Sequence, residues 1–212
     1  MQRLAALALV VVGCQLFGSG VRGSGTPKTE QRTVPAFDQL SIEGAMRADV
    51  TAGVAQVVEL SGDDNIVPLI ETIVNASELR IAPHESISPK LVLTAKIATQ
   101  KLTALALSGS VQAAVHGIAS DAFAIHTSGS TNVTASGAAK HVAIHVSGSS
   151  KVDANELHAE DVTIEVSGSA DVDVYANGVL DVHISGSAHV RYAGSPREVH
   201  KDISGAGTIE PR

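Results

Sequence analysis

His126, His145, Glu165 and His183 follow one another at intervals of 19, 20 and 18 residues, each two positions before a Ser-Gly-Ser tripeptide. Imidazole nitrogens and a carboxylate are the donor types that zinc and copper take, so stacking these residues one above another would bring neighbouring donors within reach of one ion. The same ladder also pairs charge on an exposed sheet and discourages lateral aggregation, and the spacing lacks the tight cage of a structural zinc site. The sequence favours paired charge, requires no metal or other cofactor, and leaves these four as the candidates if a metal binds. Asp153, Asp171 and Asp173 form a second acidic set, read as a solvated face rather than a hard-cation site. Serine is plentiful, yet none sits in a Gly-x-Ser-x-Gly turn. The Ser-Gly-Ser units recur without one special member, whereas a nucleophile ought to be singular, so the reading is non-enzymatic.

The elements that must carry this ladder are themselves periodic. Ser-Gly-Ser occurs with its glycine at Gly109, Gly129, Gly148, Gly168 and Gly186, and a Ser-Gly-Ala variant follows at Gly205. Before each tripeptide lie alternating pairs such as Ile144 and Val146 or Ile164 and Val166, and after it Val152 and Ala154 or Val172 and Val174. Alternation of period two means strand, and a repeat of 19–20 residues is too short to bury an alternating face alone. Stacking equivalent strands at ~4.8 Å gives a shared interior, so the pattern predicts an all-β parallel solenoid with glycine corners. Those corners are expected to need glycine because φ is positive there. A leucine-rich horseshoe has a similar period, but its Leu and Asn spacing is absent and no helical segment recurs.

The chain has 212 residues, 44% hydrophobic but only 2% aromatic, so the core must be built from Val, Ile, Leu and Ala. Fifteen basic residues against 22 acidic give a net charge of -7, with no basic cluster, which excludes the electrostatic footprint of nucleic-acid binding. Met1-Gln2-Arg3 and the apolar run Leu4 to Val12 resemble an export signal, too short to span a membrane. Val11-Val12-Gly13-Cys14 resembles a bacterial lipobox, which makes Cys14, the only cysteine, the expected lipidation site. The expected organisation is a signal peptide over 1–13, a lipid-anchored flexible tether over 14–32 rich in Gly and Ser, and one β-solenoid domain over 33–212. Gln15 after the cysteine resembles the outer-membrane sorting pattern of Gram-negative bacteria. Ile66, Leu69, Ile70 and Ile73 fall on a 3.6-residue stripe, with Pro68 in the first turn and Asn75 at the end, which predicts one short helix in the N-terminal half.

Phe37-Asp38-Gln39-Leu40-Ser41-Ile42-Glu43-Gly44, Glu78-Leu79-Arg80-Ile81, Leu102 to Ser110 and the tandem Ser-Gly-Ser rungs, in that order, resemble the auto-transporter adhesin head domain of bacterial lipoprotein-like envelope proteins. The resemblance spans roughly Thr33 to Arg212 and implies a right-handed parallel β-helix of undefined molecular role. The tripeptide closest to the family's Gly-Ile-Asn is Gly117-Ile118-Ala119. Together these readings give an envelope lipoprotein anchored in the outer membrane, whose head binds or adheres to a protein partner or a neighbouring copy. The alternatives are a carbohydrate-active β-helix enzyme, for which five aromatic residues leave almost no sugar platforms, and a metal-binding envelope protein.

Overall fold

The computed structural model describes residues 20–212; the signal peptide expected over 1–13, Cys14 and the first part of the tether lie outside them. Strands make up 75% of the described chain. In order the strands are β1 (Val21–Arg22), β2 (Pro27–Gln31), β3 (Gln39–Ala52), β4 (Val57–Asp63), β5 (Ile70–Asn75), β6 (Glu78–Pro83), β7 (Ile87–Ser88), β8 (Thr94–Thr99), β9 (Ala104–Val166), β10 (Ser169–Ala176), β11 (Val179–Ile184), β12 (Ser187–Gly194), β13 (Glu198–Ile203) and β14 (Ala206–Pro211). Sheets do not close into a barrel: the longest path runs β14-β12-β10-β9-β3-β8-β4-β2 and ends in two edges.

From β9 onward every strand pair is parallel, and partners stand one repeat apart. Ser169 lies beside Ser149 and Ser187, and Val182 lies between Ile164 and Lys201. In-register pairing keeps like beside like, so the alternating residues form continuous inward columns, among them Val152, Val172 and Val190, each essentially unexposed. A fully buried Val or Leu stabilises by roughly 1.5–3 kcal/mol, and in this chain that term is spread thinly over many small side chains. The register slips once, between Val174 and Tyr175, where Asn155, Glu156 and Leu157 of β9 face no residue of β10.

The region before β9 is built differently. β3 pairs in parallel with β9 along one edge and with β6 and then β8 along the other. Beyond that edge the pairing turns antiparallel, β4 on β8, β2 on β4 and β5 on β6. Two expectations are corrected here. The predicted helix is a single 3-10 turn over Val67–Leu69 that runs directly into β5. Ile70 to Val74 is rich in β-branched residues, which are stiff and favour extended backbone, and Ile73 on the supposed helical stripe is 43% exposed. Ala76, at φ 54°, then turns the chain back into β6. The tether expectation also places the folded boundary too late. Val21–Arg22 pairs with Ile87–Ser88, and Pro27–Gln31 pairs with β4, so residues from Val21 onward belong to the sheet system.

Candidate functional site

The alternation that buries Ile125, Ile144, Ile164 and Val182 turns the next residue of each repeat outward, and His126, His145, Glu165 and His183 share one outer face. With Asp202 from β13 and the serines that follow each of them, they line a groove of about 730 Å³ crossing successive repeats. His126 and His145 stack with ring centroids 4.8 Å apart and planes 3° from parallel. His145 Nδ1 lies 2.9 Å from Glu165 Oε2. His183 pairs with Glu165 and Asp202 in register, with Nε2 3.2 Å from Asp181 Oδ1 and Nδ1 3.7 Å from Asp202 Oδ2. The ladder expected from the sequence is therefore one continuous arrangement.

Its geometry suits charge pairing. A metal bound by two imidazoles needs lone pairs that converge, and those of two parallel stacked rings run side by side instead. Among the described residues no group of three or more His, Cys, Asp or Glu side chains is placed to hold a metal ion. Burial, and then the neighbouring His145, push the His126 imidazole below the usual histidine range, since both oppose its positive charge.

The serines form a second ladder beside the first. Ser167 Oγ donates to Val146 O at 3.4 Å, Ser185 Oγ to Val166 O at 3.3 Å and Ser204 Oγ to Ile184 O at 3.4 Å. Each hydroxyl thus ties its repeat to the one before, and equivalent roles at equivalent positions single out no nucleophile. On the other flank of the glycine column lies a shallower groove of about 1060 Å³, where Lys151, Asp171 and His189 stand side by side in register.

The reason for the glycines themselves needs correction. Gly109 and Gly129 have φ of 96° and 103°, but Gly148, Gly168, Gly186 and Gly205 are not in the positive-φ region. What excludes a side chain at all six is the preceding glycine. A Cβ on Gly129 would sit 2.5 Å from Gly109 O, and one on Gly148, Gly168, Gly186 or Gly205 would strike the carbonyl oxygen of the glycine one repeat earlier. Stacking distance along the column enforces glycine at all six, and at Gly109 and Gly129 the positive φ adds to it. Gly44 starts the same column, because it pairs with Gly109 and stands where a Cβ on Gly109 would collide. Ile42-Glu43-Gly44-Ala45 carries the repeat's corner without its serines, so the Ser-Gly-Ser pattern does not reveal it. Glu43 heads the serine ladder and is clamped by Arg80, with Nε 2.7 Å from Oε1 and Nη2 3.0 Å from Oε2.

Three other polar groups escaped the sequence reading. Asp63 is wholly buried and accepts the backbone N–H groups of Gly25 at 2.6 Å and of Lys90 and Leu91 at 3.0 Å each. Burial raises its pKa, but the donors Leu91, Gly25 and Lys90 with the Lys90 charge prevail and hold the carboxyl below its ordinary value. Thr127, Ser150 and Thr131 form a buried hydroxyl chain inside the repeats, with contacts of 3.0 and 2.9 Å. Asp173, expected on a solvated face, is 4% exposed and takes a 2.6 Å bond from Arg191 of the next repeat. Only the Asp-Asp pair after Gly62 marked any of these in the sequence, and it specifies no long-range partner.

Residues 36–196 match the family model described as "Putative auto-transporter adhesin, head GIN domain". Among solved structures, a "putative adhesin" from Bacteroides fragilis superposes with a TM-score of 0.72 at 22% identity, covering 91% of this chain and all of its own. A "putative lipid binding protein" from Parabacteroides distasonis gives 0.56 at 20% identity, over 91% of this chain and 99% of its own. A "putative adhesin" from Parabacteroides merdae gives 0.57 at 15% identity over the same shares. No curated protein matches the chain significantly. These likenesses establish a shared fold.

Proposed function

This chain belongs to the auto-transporter adhesin head domain family, and on that premise we propose that it is an exported envelope lipoprotein whose head is a right-handed parallel β-helix and whose histidine-serine groove receives a protein partner. The observation that carries this reading is the groove itself, where a titratable ladder and a hydroxyl ladder repeat side by side on an exposed face. Repetition suits an extended contact better than a single reaction. Protein is favoured over glycan because Phe37 and Phe123 are buried in the core and Tyr175 packs edge-on against His158, away from the groove. Lipid on Cys14 would hold the head at the outer membrane, and no helix among the described residues is long and apolar enough to cross one.

The test combines anchoring and contact in the native envelope. Cys14→Ser is expected to move the protein from the membrane to the soluble exported fraction. A photo-crosslinker at His145 is expected to give a discrete protein adduct that one at Asn132, in the other groove, does not give. Equal membrane retention of Cys14→Ser would contradict the anchor, and the same adducts from both positions would contradict the groove.

A further inference from the structure

In the last described layer one inward column carries a charge. Val199, Lys201 and Ile203 of β13 stand in register with Leu180, Val182 and Ile184 of β11, which in turn stand on Val162, Ile164 and Val166 of β9. Every member of the two earlier layers is apolar and at most 2% exposed. Lys201 therefore stands in an inward column of the last described layer, where Ile164 and Val182 precede it. Its side chain does not enter the core. It lies exposed, and its Nζ donates to Ile209 O of β14 at 3.2 Å, bridging the two strands of the last described layer.

Among the described residues nothing pairs with the outer edges of β13 and β14. Such an edge is a template for another strand, and the Ile203 side chain, 39% exposed beside it, would reward an added layer. At the other end of the path, the edge strand β2 carries Pro27, Lys28 and Glu30, residue types that blunt an edge by themselves. β13 and β14 carry charge as well, but Glu198, Asp202 and Glu210 fall on outward positions, whereas Lys201 falls in the inward column.

We propose that Lys201 is a stop that keeps a second copy of this chain from stacking end-on against the β13–β14 layer. A layer laid over it would enclose an ammonium in an apolar column with no carboxylate provided for it, because the column below is Val182 and Ile164. The occupant excluded is a second copy, whose own repeats present parallel strands in the same register as this layer.

The experiment uses the full chain with Cys14→Ser to remove lipid-driven association, followed by sedimentation velocity over a range of concentrations. Lys201→Val and Lys201→Met are expected to double the weight-average mass as concentration rises, while the parent and Lys201→Arg stay at the monomer mass. Adding Ile203→Lys to Lys201→Val returns a charge to the same layer and is expected to restore the monomer. Circular dichroism identifies any variant that has failed to fold, and Lys201→Met then decides in place of Lys201→Val. Monomeric Lys201→Val and Lys201→Met with parent-like dichroism would overturn the proposal. So would association that Ile203→Lys leaves unchanged, or a parent protein that associates as strongly as the variants.

Discussion

The two halves of the molecule reach similar burial by opposite means. From β9 to β14 the chain repeats one motif in parallel register, and each residue is held by its own equivalents one repeat away. Between β1 and β8 the pairing is mixed: β3 keeps parallel partners, β2, β4, β5, β6 and β8 meet in antiparallel pairs with no repeated register, and single polar groups such as Asp63 tie together segments 27 to 38 residues apart. In the repeats, identity of neighbours does the specifying, so an error in one layer is shared with two others. In the N-terminal half the specification is concentrated at a few non-repeated contacts, and the loss of one has no equivalent to fall back on.

That contrast predicts the largest effect at Asp63. Asp63→Ala orphans three backbone donors in a buried site, and the expected outcome is loss of hydrogen-exchange protection at Gly25, Lys90 and Leu91 while the amides of β10 and β12 stay protected. The pH dependence has a definite sign. The folded carboxyl titrates below its ordinary value, so its contribution is fully present above the unfolded pKa and is lost as pH falls through the folded one. Asp63→Asn should therefore flatten the acid limb of the stability curve below the ordinary carboxylate range, and an unchanged limb would place the stabilisation elsewhere.

Next in size are the glycines, where the two regions differ in cause. Gly168→Val forces a side chain against Gly148 and should cost about 1–3 kcal/mol by the usual penalty for overpacking, although its φ is unexceptional. Gly25→Ala meets only Lys90 Cδ at 3.6 Å but sits at φ 89°, so its penalty is conformational, about 1–2 kcal/mol. Chemical denaturation of both ranks the mechanisms, and a Gly168→Val protein as stable as the parent would remove the close-stacked column from the account.

The smallest expected effect lies in the groove. His145→Ala removes both a like charge and a covering ring from His126, so the His126 titration followed by NMR should move upward toward the usual histidine range. A downward move or none would mean that other surroundings set the His126 value.

How much of this the sequence disclosed follows the same division. Repeat length, strand alternation, the outward ladder and the glycine positions were legible because in-register stacking writes each of them many times along the chain. The cause of the glycine column was not, since a close approach between layers leaves the same mark on the sequence as a positive φ. The stripe from Ile66 to Ile73 misled because a short apolar run fits helix and strand alike, and β-branching at Ile70, Thr72, Ile73 and Val74 outweighed its spacing. Asp63 and Arg80 were illegible for a different reason: their partners are chosen by topology, and nothing repeats to announce it.

The central claim is that repeats stack in parallel with residues 18–20 apart side by side, and paired cysteines test it most directly. In a Cys14→Ser background, Asp171→Cys with His189→Cys joins outward positions that face each other across β10 and β12, within the Cα separation a disulfide accepts. Asp171→Cys with Arg191→Cys shifts the second position by two residues. Under mild oxidation the account predicts complete intramolecular bonding in the first protein and little in the second, measured as protected thiol by mass spectrometry. Preferential bonding in the shifted pair, or in neither, would contradict the register on which the groove, the glycine column and the Lys201 stop all depend.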